Sequence, residues 1–178
     1  MPKPYFENTN KIQEIIRVNH AGEFGAQVIY QGQMKFTKNL KNKIIIKEML
    51  EQELEHLNYF ENEIKNTKSR PTFLLPIWNI CGYMLGVVSG ALGIKTAMAV
   101  TESIEEVIVQ HYQQQINYLN IHDKENQLLP RIIQFQQDEA EHIHTAIDNE
   151  SRSSVFYQPL RKLVKGICYA AITLSKKI

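Results

Sequence analysis

The stretches Glu53-Leu54-Glu55-His56 and Glu139-Ala140-Glu141-His142 repeat one four-residue pattern at two distant places in the chain. Residues three apart in a helix share a face, so each pattern sets a carboxylate beside an imidazole. One such pair is weak evidence of anything, because charged helical faces are usually solvated. Here each Glu and His falls inside an apolar stripe. The first stripe is Ile46, Met49, Leu50, Glu53, His56, Leu57, Phe60 and Ile64; the second is Leu128, Ile132, Phe135, Glu139, His142, Ile143 and Ala146. Both follow the helical period.

Working outward, each of these helices has another before it with its own mid-stripe glutamate. A helix over about 10–38, capped by Thr9 or Asn10, carries Ile12, Ile15, Ile16, Asn19, Glu23, Ala26 and Tyr30 on one face. A helix over about 95–121 carries Met98, Thr101, Glu105, Ile108, Tyr112 and Leu119. The two pattern-bearing helices are expected over about 43–66 and 125–148. Short polar links at 39–42 and around His122-Asp123 make antiparallel hairpins, and a long segment at 67–94 joins them. Two helix pairs with one long crossover form the ferritin-like four-helix topology, all-α, and the whole of 1–178 is read as one such domain.

An ionised carboxylate inside an apolar stripe costs several kcal/mol or so even after relaxation, unless it is paired, protonated or metal-bound. No Lys or Arg lies on these stripes near Glu23, Glu53, Glu105 or Glu139. Four carboxylates and two neutral imidazoles around two divalent ions sum to zero charge. The expected metal ligands are therefore Glu23, Glu53, His56, Glu105, Glu139 and His142, and this oxygen and nitrogen set suits iron or manganese. Glu55 and Glu141 fall between ligand positions and point to water. Glu102, one turn before Glu105, is the rival for its place. Asn19 and Tyr112 are in phase to bond a ligand carboxylate, or else serve as a packing amide and a satisfied buried phenol. His20 and His111 are out of phase with the nearest glutamate, and His122 and His144 are read as solvent-facing.

Composition bounds the rest. The chain has 178 residues, 43% of them hydrophobic and 22% charged, with a net charge of +1. Global disorder is excluded, and nothing suggests nucleic acid as a partner. Cys81 and Cys168 are the two cysteines, too few for a disulfide framework, and a reducing compartment fits. Met1-Pro2-Lys3-Pro4 opens no apolar leader. The segment 71–94 has no charged residue, which exceeds the roughly 18 uncharged residues that suggest a membrane span. Pro76, Gly82, Gly86, Gly90 and Gly93 interrupt it, and a crossover must rejoin its own bundle. It is read instead as a helix laid over the bundle with apolar surface left to meet lipid. The tail at 155–178 reads as an amphipathic helix with Leu160, Leu163, Val164, Ile167, Ala171 and Leu174 on one side. Its charges are all basic: Arg161, Lys162, Lys165, Lys176 and Lys177. That face suits an anionic membrane; a capping role on the bundle or a dimer contact is the alternative.

The run Ile15-Ile16-Arg17-Val18-Asn19-His20-Ala21-Gly22-Glu23-Phe24-Gly25-Ala26, the Glu53–His56 pair, Trp78-Asn79, Glu105-Glu106 with His111-Tyr112, and Asp138-Glu139 with His142 closely resemble the demethoxyubiquinone hydroxylase family. The resemblance spans nearly the whole chain. It implies a ferritin-like di-iron monooxygenase of ubiquinone biosynthesis, which hydroxylates the ring of a polyprenylated methoxy-benzoquinol with dioxygen. It implies the same six iron ligands, with Glu53 and Glu139 as bridges and His111 and Tyr112 behind them. Many members carry Asp where this chain has Asn19, which cannot supply a charge. The resemblance further implies a prenyl tail along the insert, with Phe73, Leu74, Trp78 and Tyr83 as contacts, and a reductant such as NADH. The implied setting is peripheral: the cytoplasmic face of a bacterial inner membrane or the matrix face of a mitochondrial one. A lipid-presenting accessory protein and a second copy of the chain are the implied protein partners. Rival readings are another di-iron oxidase or peroxidase of this fold, or a non-enzymatic membrane-associated bundle.

Overall fold

The computed structural model describes the backbone of residues 4–177 and the side chains of residues 9–177. Residues 1–3, which contain most of the segment read as lacking a leader, and Ile178 at the end of the tail lie outside the described residues. The described chain is all-helical: α1 Pro4–Phe36, α2 Leu40–Asn66, α3 Leu75–Ala91, α4 Ile94–His122, α5 Leu128–Asp148, a 3-10 turn Ser151–Ser153, and α6 Tyr157–Lys177. α1 pairs with α2 and α4 with α5, as the short links require, and α3 and α6 lie against this bundle.

The helix ends depart from sequence expectation for local reasons. α1 runs through Thr9 and Asn10 rather than being capped there. On an exposed turn these residues cost only a few tenths of a kcal/mol in a helix, roughly, and Ile12, Ile15 and Ile16 anchor the next turns. α2 starts at Leu40 because the Asn39 side chain accepts from the Asn42 N–H at 3.2 Å. α5 starts at Leu128 rather than near Glu125. Asn126 accepts from the Leu128 N–H at 3.0 Å and donates to Asp123 at 2.9 Å, which organises a turn there instead.

The stripes meet in two apolar clusters. One joins Ile15, Ile16, Phe60, Tyr112, Leu119, Ile132 and Phe135; the other joins Ala26, Tyr30, Ile46, Met49, Leu50, Met98 and Ala146. Along each of the four helices the mid-stripe glutamate falls between its contributions to the two clusters. The sequence pattern therefore delivers all four carboxylates to one level of the bundle.

α3 is held by backbone approach, not by interlocking side chains. Gly82, Gly86 and Gly90 recur every four residues and face α1. A Cβ on Gly90 would sit 2.7 Å from the Gln33 carbonyl oxygen; one on Gly32 would sit 2.6 Å from that of Tyr83. A Cβ on Gly86 would collide with the Ile29 carbonyl. The opposite side of α3 shows Ile77, Ile80, Met84 and Val88 to the outside. Among the described residues, no helix is long and apolar enough to cross a membrane.

The tail helix α6 uses part of its basic face inside the molecule. Glu106 of α4 takes both Arg161, at 2.8 Å, and Lys165. Arg17 of α1 caps the far end through the carbonyls of Ser175 at 2.9 Å and Lys176 at 2.7 Å. Only Lys162, Lys176 and Lys177 remain of the five basic groups expected to face outward. Val164 closes a third cluster with Ile29, Val100 and Ile104.

Gly86→Val should push α3 off α1 and destabilise the protein by about 2 kcal/mol or more, since overpacking against backbone cannot relax through a rotamer. Chemical denaturation checks this, and a Gly166→Ala variant, with open space around its Cβ, should not reproduce the loss.

Candidate metal centre

Glu23 of α1, Glu53 and His56 of α2, Glu105 of α4, and Glu139 and His142 of α5 converge in the interior, each no more than 3% exposed. Their donor atoms form two overlapping groups. Glu23, Glu53, His56 and Glu139 make one; Glu53, Glu105, Glu139 and His142 make the other, with the atoms of each within 4.8 Å of one another. Glu53 and Glu139 belong to both.

The chemistry of this donor set fits a pair of cations. Both Glu53 oxygens are buried with no hydrogen-bond partner, and Glu139 Oε2 and His142 Nδ1 are buried close together without an aligned hydrogen bond; such orphans are rare without a reason. His142 Nδ1 lies 2.9 Å from Glu139 Oε2 and 3.3 Å from Glu53 Oε1. His56 Nδ1 lies 3.1 Å from Glu139 Oε1 and 3.5 Å from Glu23 Oε2. Without metal, the carboxylates strain one another's ionisation. Burial, then Glu139, Glu23 and Glu105, hold Glu53 well above the ordinary carboxylate range. Burial and Glu139 push Glu105 up to about 8. Burial opposes the charge on Glu139 too, but the His142 and His56 imidazoles outweigh it and pull Glu139 down to about 2. Burial would lower His56; the Glu139 and Glu23 carboxylates overcome it and raise it to about 12. The site thus borrows protons where two divalent ions would supply charge.

Around the six donors, the two halves of the chain brace each other crosswise. Tyr112 donates to Glu23, as its phase allowed. Tyr30, read only as part of a stripe, donates to Glu105 at 2.8 Å. Each Tyr stands seven residues after the glutamate of its own helix and bonds the glutamate of the other half. Burial, followed by the nearby carboxylates, keeps both phenols protonated and therefore donors. The same symmetry holds at the histidines. His142 Nε2 meets Gln52 at 2.7 Å, and His56 Nε2 meets Asp138 at 3.1 Å. Gln52 and Asp138 immediately precede Glu53 and Glu139. The equal offsets, seven after and one before, were the signal that would have found Tyr30 and Gln52. Phe135 packs on His56 with ring centroids 4.0 Å apart.

Other expectations divide. Asn19 does not bond a glutamate: its amide exchanges hydrogen bonds with Gln115 at 2.9 and 2.7 Å, tying α1 to α4. The neutral pair is satisfied on its own, which explains why no charge is needed at that position. Glu102 is not a donor to the centre. It is buried one turn away and accepts from Arg152 at 2.9 Å, Tyr157 at 3.0 Å and Ser151, at the turn into α6. Glu55, Glu141, His122 and His144 are exposed, as expected. His20 is buried. His111 is partly buried with Nε2 unpartnered, and burial together with Lys176 and Lys11 pushes it down to about 4.

A cavity of about 160 Å³ opens beside the centre between α1, α3, α4 and α6. Its walls are almost wholly apolar, among them Ile29, Leu85, Ile104, Ile108, Ile167 and Ala171, and it reaches Glu23, His111 and Tyr112. Of the four insert residues expected to touch substrate, Trp78 lines this cavity, with its Nε1 donating to Ser175 at 3.3 Å. Phe73, Leu74 and Tyr83 do not line it. Phe73 precedes α3 and stands 73% exposed; Tyr83 lies on the side of α3 that meets Gly32 of α1.

Two outcomes follow from this geometry. Metal analysis should find that Glu53→Ala and Glu139→Ala, which each remove a donor from both groups, hold less than about half the wild-type metal, whereas Glu23→Ala and Glu105→Ala lose less. In metal-free protein, Glu105 and His56 keep protons that the unfolded chain releases near 4.5 and 6.5. Between about pH 6.5 and 8 the folded state then holds more protons than the unfolded one, and stability falls as pH rises. The slope is about 1.4 kcal/mol per pH unit for each extra proton. Metal displaces those protons, so thermal midpoints with saturating metal should lose this decline.

The described geometry has counterparts among known proteins. Residues 10–175 match the family model "Ubiquinone biosynthesis protein COQ7". A Dictyostelium discoideum protein named NADPH-dependent 3-demethoxyubiquinone 3-hydroxylase, mitochondrial, is 45% identical over 94% of this chain and 77% of its own length. The Homo sapiens protein of that name is 37% identical over 94% of this chain and 78% of its own. A Rhodospirillum rubrum 3-demethoxyubiquinol 3-hydroxylase is 36% identical over the same two shares. Matching over nearly its whole length, with six buried donors from four helices, the chain belongs to the COQ7 family of ubiquinone biosynthesis proteins.

Proposed function

We propose that this chain is a di-iron monooxygenase that hydroxylates the ring of a polyprenylated demethoxyubiquinol. The observation that carries this reading is the apolar cavity ending at Glu23 and Tyr112. A bundle that only oxidised soluble ions or scavenged peroxide would need no oily chamber beside its metal donors. Glu23, Glu53, His56, Glu105, Glu139 and His142 would hold two ferrous ions, with Glu53 and Glu139 shared between them. When bound, the ions supply dioxygen activation, chemistry that side chains alone lack.

The chain's own residues do the rest. The apolar walls take a substituted quinol ring and exclude water. His111, neutral at physiological pH with Nε2 unpartnered on the cavity wall, is available to accept a hydrogen bond from a ring hydroxyl. Tyr112 and Tyr30 fix the outer carboxylates, and Asp138 and Gln52 hold the imidazoles with Nδ1 inward. The prenyl tail would leave past Trp78 between α3 and α6. There Ile80 and Met84 of α3 and Leu163 and Ile167 of α6 stand exposed. That rim suits a membrane interface, with Lys162, Lys176 and Lys177 for anionic headgroups. Reducing power would come from a reduced nicotinamide nucleotide. The names of the Dictyostelium and human relatives specify NADPH, where the family resemblance implied a reductant such as NADH. The same names place those relatives in mitochondria; the equivalent site for this chain is the matrix side of the inner membrane, or the cytoplasmic side in a bacterium.

Filling the cavity tests the assignment. Ala171→Trp should raise KM for a short-chain demethoxyquinol by more than about tenfold while iron content stays at wild type. Mass spectrometry of the product with iron, NADPH and labelled dioxygen should show one added oxygen. Hydroxylation unaffected by the blocked cavity would send the substrate elsewhere.

A further inference from the structure

Two openings reach the buried donors, and their chemistries are opposite. A hydrated cation cannot cross the apolar chamber without losing its water to nothing. The second opening lies on the other side of the bundle, between α2 and α5. It holds about 340 Å³ and is lined on its polar side by Glu48, Glu51, Glu55, Gln52, Glu141 and His142. α2 and α5 approach each other closely at only a few places, unlike the α1–α2 and α4–α5 hairpins. The acids Glu55 and Glu141 are the middle residues of the two Glu-x-x-His patterns, so both repeats turn a carboxylate toward the same cleft. Lys47 pairs with Glu51 at 3.0 Å, and the remaining three carboxylates leave the rim strongly negative.

The Gln52–His142 pair floors the cleft, and unmet polar atoms lie directly behind it. His142 is 2% exposed and its Nδ1 has no hydrogen-bond partner, nor has either oxygen of Glu53 behind it. Its other nitrogen is held by Gln52 at 2.7 Å, and both side chains line the cleft. We propose that the α2–α5 cleft is the entry path by which a hydrated divalent cation reaches the metal centre. Glu48, Glu55 and Glu141 draw the ion in, and it exchanges waters for the Glu53 and Glu139 oxygens as it passes the Gln52–His142 pair. This rests on the di-metal reading of the centre. Metal and quinol then arrive by separate doors, so a bound lipid tail does not block loading.

The test is the rate of cobalt(II) uptake by the metal-free full-length protein, followed by stopped-flow absorption of the bound ion. Glu48→Gln/Glu55→Gln/Glu141→Gln should load about tenfold more slowly at low salt, with the gap closing at high salt, and reach the same final two ions per chain. A variant with the same charge change outside the cleft, Glu14→Gln/Glu61→Gln/Glu125→Gln, and the chamber-blocking Ala171→Trp should load at the wild-type rate. A cleft variant that loads like wild type, or a control that slows equally, overturns the path while leaving the metal centre standing. Wild-type protein that takes up no cobalt overturns the centre and the path together.

Discussion

Four carboxylates brought within one coordination sphere repel each other, and burial removes the water that would screen them. That constraint orders the rest of the molecule. Two divalent ions would cancel the charge; protons cancel it only in part, and only at the expense of Glu53 and Glu105 losing their ordinary acidity. The apolar clusters on either side raise the cost of leaving the charges unmatched and hold the helices at the spacing the donors need. Stability and function therefore act on the same atoms.

The internal repeat gives the centre its rigidity. Each half of the chain supplies three donors, and each half orients those of the other. Tyr30 of the first half holds Glu105 of the second; Tyr112 of the second holds Glu23 of the first. Gln52 and Asp138 do the same for the two imidazoles. A hairpin alone could not set its own ligands, because every brace crosses the bundle. The asymmetry between Gln52 and Asp138 places a full negative charge behind His56 and a neutral amide behind His142. The two donor groups are therefore not electrostatically equivalent.

Around this symmetric centre the additions to the bundle are lopsided. α3 and α6 cover one side only and enclose the oily chamber, while the α2–α5 side stays thinly packed and acidic. Glycines at every fourth position let α3 lie close on α1, so its apolar residues can face outward and toward the chamber. α6 is tied by Glu106 and Arg17, and Glu102 fastens the turn that leads into it. Glu102, the rival for the place of Glu105, and its neighbour Glu106 thus position the wall of the apolar chamber.

The sequence by itself determined the helices, their pairing and the six donors. These follow from spacing along one helix, where backbone geometry fixes which residues share a face. It also marked Tyr112, but Glu102, one turn from Glu105, stayed a rival until its bonds to Ser151, Arg152 and Tyr157 placed it outside the centre. It could not decide what lies across from a residue. Asn19 had two equal readings, a bond to a ligand carboxylate or a packing amide, and only the packing of α1 on α4 chose the second, with Gln115. Phe73, Leu74 and Tyr83 sat in the apolar segment, yet none lines the chamber: Phe73 and Leu74 precede α3, and the rotation of α3 is set by where its glycines meet α1. The basic tail could equally face a membrane or cap the bundle, until α4 supplied Glu106 to Arg161 and Lys165. Periodicity is a local property and survives in one dimension. Cross-bundle contacts, cavity walls and the charge left over on a surface depend on how separate helices are turned against one another, which only the folded structure decides.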